Sequence, residues 1–169
     1  MSSIDNIKAI MADGLELGTF VNNGDRIDLI LDDGVEDTWL PYIFELALSR
    51  DKDMRPVLET WLKERVFPKN RFGSHRMLRE LGLKKYDVQK IAEATRASLL
   101  TDPYWLVYDE SDTYETKSVR GQMNEENRIF NKQGIRSKSK EPYPYNSMGI
   151  KEQDKERYTW RTAQITREL

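Results

Sequence analysis

The sequence predicts an α+β domain over residues 1–109, with short helices packed on a small antiparallel sheet, followed by an extended or partly disordered C-terminal region over 110–169. Three observations predict it. Two short apolar-polar runs flank an Asn-Gly turn near the start, apolar residues recur at helical spacing between residues 41 and 98, and the periodicity is lost after Asp109.

In chain order, Ser3 can cap a helix over 3–12, in which Ile4, Ile7, Ile10 and Met11 fall at helical spacing and which Gly14 ends. The runs 16–21 and 26–31 surround Asn22-Asn23-Gly24-Asp25. Asn-Gly accepts positive φ readily, so the two runs form a hairpin with Ile27, Leu29 and Leu31 on one face. After Asp32-Asp33-Gly34 turns the chain, Pro41, a residue favoured in a first turn, opens a helix striped by Leu40, Ile43, Phe44, Ala47 and Leu48. Met54, Val57, Leu58, Trp61 and Leu62 repeat on one face and predict a helix over 54–66, stopped by Pro68. Ser74 caps 75–81, with Met77, Leu78 and Leu81 inward and Gly82 at its end; Asp87 caps 88–98, with Val88, Ile91, Ala92, Thr95 and Leu99 on one face. Asp102-Pro103 enforces an extended entry into a closing strand, Tyr104-Trp105-Leu106-Val107-Tyr108.

Beyond Asp109, isolated apolar residues such as Val119, Ile129, Phe130, Ile135, Met148 and Ile150 stand in polar surroundings. Such a stretch buries too little to offset roughly 1–2 kcal/mol per residue of backbone ordering. A helix at 151–166 is the one element predicted there.

Charged residues make up 33% of the 169 and no cysteine is present, which excludes disulfides, thiolate nucleophiles and zinc sites built on sulfur. No apolar run approaches the roughly 18 residues of a membrane span, and Met1-Ser2-Ser3-Ile4-Asp5 lacks a signal peptide's basic and apolar regions. The expectation is a cytoplasmic protein with no membrane contact. The net charge of −2 hides a polarity: residues 1–50 hold three Lys/Arg against ten Asp/Glu, and residues 63–96 hold ten against four. Either the fold neutralises itself, or it offers two faces to two partners.

Catalytic signatures are sparse. The nine glycines never fall into a nucleotide-binding loop, and the single histidine, His75, would have to carry any Ser-His-Asp apparatus alone. Asp32, Asp33, Glu36 and Asp37 could hold a hard cation, but they lack the spacing of a calcium loop and also suit an acidic turn before a helix. Asp109 with Glu115-Thr116-Lys117 matches the acid-x-lysine arrangement of some metal-dependent nucleases, a short match that arises often in charged sequence. No enzyme activity, metal or cofactor is expected.

The basic middle offers candidate binding residues: Lys63, Arg65, Lys69, Arg71, Arg76, Arg79, Lys84, Lys85, Lys90 and Arg96, mostly on polar helix faces. Two helices within 75–98, joined by a short connection, have a helix-turn-helix outline whose cations could neutralise phosphates, although Glu93 would face them too. The same face could meet an acidic protein. Tyr143, Tyr145 and Trp160 in the tail are candidate aromatic anchors, because such rings bury much area for little lost entropy.

Four short motifs occur in order: Trp61-Leu62-Lys63-Glu64-Arg65; Phe67-Pro68 with Arg71; Leu78 with Leu81-Gly82-Leu83; and Leu99-Leu100-Thr101-Asp102-Pro103-Tyr104-Trp105-Leu106. Together, over about residues 55–107, they resemble the module that precedes the kinase portion of HipA-like proteins of Firmicutes and their mobile elements. The nucleotide-binding and catalytic segments of such a kinase have no counterpart in the 60 residues that follow. The resemblance therefore implies a recognition module without phosphotransfer. The leading expectation is a non-enzymatic regulatory protein of phage or mobile-element type that binds and modulates a host protein; the alternatives are a nucleic-acid-binding regulator using 75–98, and a structural virion or assembly component.

Overall fold

A computed structural model describes residues 2–124. Tyr143, Tyr145, Trp160 and the predicted helix at 151–166 lie outside the described residues. The fold is α+β. A four-stranded antiparallel sheet has the order β3-β2-β1-β4, formed by β1 (Ala9–Ala12), β2 (Leu15–Asn22), β3 (Ile27–Leu31) and β4 (Tyr104–Val107). Between β3 and β4 come α1 (Tyr42–Ser49), α2 (Met54–Glu64), α3 (Ser74–Glu80) and α4 (Val88–Thr95).

The predicted hairpin is β2–β3, with Gly24 at φ +87° in its turn. The close pairing uses Gly18, since a Cβ there would stand 2.7 Å from the Ile30 carbonyl oxygen. Ile10, Leu17, Phe20, Ile27 and Leu29 form the sheet's share of the core, against Leu40, Phe44, Met54, Leu58, Trp61 and Leu62 from the helical layer. Phe44 lies at the centre of this layer, with the Phe20 and Trp61 ring centroids 6.2 and 5.1 Å away, distances typical of favourable aromatic pairs.

The expected helix over 3–12 is replaced by a 3₁₀ turn, Ser3–Asn6, followed by β1. Ser2, not Ser3, caps the turn, and Asp5 reaches back to the Ser2 N–H. Ile4, Ile7 and Ile10 are all buried, so the apolar spacing was real, but β2 and β4 recruit 9–12 as the sheet's inner strand. Pairing on both edges, local with β2 and long-range with β4, overrides a local helical pattern. Two smaller corrections concern α3 and α4. Gly73, at φ +80°, occupies the cap position of α3 and Ser74 is its first helical residue. Asp87 caps α4 as expected, but the helix stops at Thr95 because Arg96 and Ala97 are both left-handed, at φ 55° and 51°.

The pieces are joined by the Arg65 guanidinium at the end of α2. Its Nε donates to the Ala97 carbonyl at 2.8 Å; its terminal nitrogens donate to both carboxylate oxygens of Asp102 and to the Tyr104 carbonyl. The cation also lies 4.5 Å from the Trp61 ring centroid. Asp53 plays a similar role at the other end of α2: one carboxylate oxygen accepts from Arg55 N–H in its own helix and from Ile27 N–H in β3.

Packing continues past Asp109, where the sequence suggested the domain boundary. Asp112 accepts from the Tyr108 and Asp109 N–H groups and pairs with Arg96; α5 (Tyr114–Lys117) follows, and Ser118 and Arg120 are buried. Gly121 lies so close to the Tyr114 carbonyl that a Cβ would overlap it. The hydrophobic periodicity gave no sign of this segment because polar bonds fasten it. Among the described residues, no helix is long and apolar enough to cross a membrane.

Truncating Arg65 to Ala should cost about 3–5 kcal/mol of unfolding free energy, because Asp102 and two carbonyls lose their donor. Arg65→Lys should recover little of it, an ammonium being unable to reproduce the fork. Urea denaturation of the three proteins measures both effects.

Candidate binding surface

The structure divides the ten predicted basic residues into two groups. Arg65 is 5% exposed and wholly engaged internally, which removes it from any binding face. Arg96 is likewise internal: its guanidinium grips Asp112 in a bidentate pair and lies 5.4 Å from the Tyr108 ring centroid. Their spacing matches that of their exposed neighbours, so charge pattern alone could not separate the two groups. Lys63, Lys69, Arg71, Arg76, Arg79, Lys84, Lys85 and Lys90 are all exposed.

Six of these cations, opposed only by Glu80, fall between residues 69 and 85, in the turns around α3 and on its outer side. Arg76 and Arg79, three apart, share a helix face, and Arg76 makes an exposed i,i+4 pair with Glu80. In their midst Phe72 is 101% exposed, the most exposed large apolar side chain among the described residues. It was not anticipated, because a single phenylalanine between Arg71 and Gly73 has no periodic partner to reveal whether it points in or out. Its backbone is held: Arg71 N–H donates to the Pro68 carbonyl and Ser74 N–H to the Arg71 carbonyl, giving two successive turns. The Tyr86 hydroxyl donates to the Phe67 carbonyl at 2.7 Å, and the two rings meet edge to face. Leu78 and Ser74 are buried beneath. The phenyl ring is therefore displayed on a fixed support. Burying a ring of this size would be worth about 1.5–3 kcal/mol, stabilisation that the isolated chain forgoes.

The helix-turn-helix outline does not leave α4 free as a recognition helix. The Ser2 hydroxyl bonds to Gln89 and the Ser3 hydroxyl donates to Glu93, so two of its polar residues are tied to the N-terminal turn. His75 is exposed beside Arg76. Asp33, Glu36 and Asp37 are exposed, and among the described residues no group of three or more Asp, Glu or His is placed to hold a metal. Asp109 accepts from the Ser111 N–H and hydroxyl, while Glu115 and Lys117 face solvent.

Among the described residues, hollows also lie away from this surface. One, of about 290 Å³, is lined by Tyr42, Trp61, Glu64, Arg65, Asp102 and Tyr104, and the bonds of Arg65 run along it. A second, a cleft of about 710 Å³, includes Asp5, Lys8, Glu93, Arg96 and Tyr108. Its charges already have partners in Arg55, Glu110, Ser3 and Asp112.

A further group unforeseen in the sequence is Asp13, 5% exposed at the β1–β2 turn, where its carbonyl accepts from the Trp105 indole at 2.7 Å and its carboxylate faces the Arg120 guanidinium at 3.2 Å. Desolvation by burial pushes its carboxyl up to about 7, against the pull of Arg120 and with a further upward push from Asp102.

No protein-family model matches the chain, and neither the curated proteins nor the solved structures include a match.

The raised Asp13 group has a definite sign in stability. Above about pH 4 the unfolded chain has released this proton and the folded protein still holds it. Stability is therefore greatest at the acid end of the window and is lost as pH rises through the folded value of about 7. Urea midpoints should fall between pH 4.5 and 7.5, and Asp13→Asn should flatten that fall; an equally steep profile in the variant would assign the dependence to other groups.

Proposed function

We propose that this chain is a non-enzymatic binding protein that docks on an acidic face of a partner protein through residues 69–85, with Phe72 as its apolar anchor. The carrying observation is the fully exposed Phe72 on a hydrogen-bonded double turn among exposed cations. An aromatic ring that fills a pocket, ringed by charges that steer approach and exclude wrong partners, is the usual anatomy of a binding hot spot. Fixed presentation supports the same reading, since little ordering remains to be done on association. The mobile-element setting implied by the HipA-like motif string makes the partner a host protein and the outcome its modulation. The motif residues Trp61, Arg65, Asp102 and Tyr104 serve the scaffold that carries the surface.

The test is capture from a bacterial lysate by the full chain, followed by affinity measurement on the purified partner. Phe72→Ala should weaken binding by at least about tenfold and leave the unfolding curve unchanged, because the ring is fully exposed. Reversing Arg71 and Arg79 to Glu should slow association and reduce its salt dependence. A partner held equally well by all three proteins would overturn the proposal. Retention on DNA or RNA that falls steeply with salt and depends on Arg76, Arg79 and Lys90 would replace it with the nucleic-acid reading.

A further inference from the structure

The second side of the charge polarity lies around β3. Residues 25–37 hold six carboxylates (Asp25, Asp28, Asp32, Asp33, Glu36 and Asp37) against Arg26 alone. β3 is the outer strand on this side of the sheet. Its ladder with β2 is fixed at both ends: Asn23 N–H donates to the Arg26 carbonyl, and Asp32 N–H to the Leu17 carbonyl. The antiparallel alternation between these points turns the N–H and C=O groups of Asp28 and Ile30 toward β2, and those of Ile27, Leu29 and Leu31 away from it. The outward N–H of Ile27 is met by Asp53 at 2.9 Å. Those of Leu29 and Leu31 meet no hydrogen-bond acceptor among the described residues.

Natural sheets blunt a free edge with charged side chains, lysine above all, or with proline or a bulge. The guard here is carboxylate, which repels a strand of its own sign and is neutralised by a cationic one. Here the strand is Ile27-Asp28-Leu29-Ile30-Leu31, regularly paired and without proline, and Ile30 is 58% exposed on the sheet face away from the core. Asp28 occupies the same face two residues earlier; its carboxylate accepts from Arg26 Nε at 2.7 Å and from Asn23 Nδ2 at 2.8 Å, and with 33% of the side chain exposed each oxygen keeps a lone pair for a further donor.

We infer that the open edge of β3 from Leu29 to Leu31 is a second docking site, which takes an extended polypeptide segment as a fifth strand. That segment carries a lysine or arginine two residues from an apolar side chain. Main-chain bonds to Leu29 and Leu31 supply the affinity that strand addition provides. The cation opposite Asp28 and the apolar residue beside Ile30 select the occupant. Charge complementarity fixes the class of partner: six carboxylates against one arginine favour a basic strand, and two copies of this chain meeting edge to edge would oppose carboxylate to carboxylate. With a cationic surface at 69–85 and an anionic strand edge at 25–37, the chain becomes a bridge between two dissimilar partners.

Hydrogen exchange on the isotopically labelled full chain reads the edge directly. A capped peptide of alternating lysine and valine should slow exchange of the Leu29 and Leu31 amides by about tenfold or more at low salt, while a glutamate-valine peptide should leave them unchanged. Asp28→Asn and Ile30→Lys should each weaken the lysine-valine peptide several-fold; Phe72→Ala should not. Failure of the basic peptide to protect either amide, or equal protection by both peptides, would overturn the inference. Protection in the free protein that grows with its concentration would replace the peptide with a second copy. The edge-specific amides keep this result separate from the Phe72 surface: capture lost with Phe72→Ala and no protection at β3 would refute the edge alone.

Discussion

One guanidinium holds the helical layer to the sheet. Arg65 leaves the end of α2, passes beside Trp61, and bonds the exit of α4 at Ala97, the side chain of Asp102, and the first carbonyl of β4 at Tyr104. The backbone at Arg96 and Ala97 has little reason to be left-handed on its own, since each non-glycine residue in that region costs roughly 1–2 kcal/mol. It is over-determined from several sides. Ala97 N–H returns to the Ala92 carbonyl, Leu106 N–H reaches the Arg96 carbonyl, and the Arg96 side chain locks onto Asp112. A buried charge is expensive unless it is paired and hydrogen-bonded, and at Arg65 four of the five N–H donors are bonded, two of them to a carboxylate, with the Trp61 ring beside the cation.

This cluster also accounts for the motif string seen in the sequence. Trp61, Arg65, Asp102 and Tyr104 are separated by up to forty-odd positions and converge on one point. A motif assembled in this way describes a scaffold, and scaffolds are shared by proteins that do different things.

How much was legible depended on the kind of interaction. Elements carried by apolar periodicity or by turn chemistry, such as α2 with its Met54–Leu62 stripe and the hairpin around Gly24, could be read from spacing because spacing causes them. The opening residues could not, because Ile4, Ile7 and Ile10 satisfy a helical period and also a turn followed by a strand; β4, some ninety residues away, decides between them. Polar fasteners were invisible for a related reason. Nothing in the chain distinguishes Arg65 and Arg96, which lie inside, from Arg71 and Arg79, which lie outside, until Asp102 and Asp112 are brought to them. The charge polarity itself was plain, and the fold keeps it: Arg65, Arg76 and Arg96 pair with Asp102, Glu80 and Asp112, not with the carboxylates of 25–37.

The strand order has a consequence for how such a chain comes into being. β1 lies between β2, its neighbour in sequence, and β4, with Ala9 facing Val107 and Ala12 facing Tyr104. A polypeptide emerging from the ribosome can zip β1, β2 and β3 into a meander early, but the β1 flank of that meander stays bare until the chain has grown from Leu31 to Val107. Contacts of such long separation slow folding, and a bare strand flank is open to wrong pairing in the interval. Synthesis rate, and any chaperone that shields nascent strands, therefore bear on the yield of this protein more heavily than on that of a helical bundle of the same length.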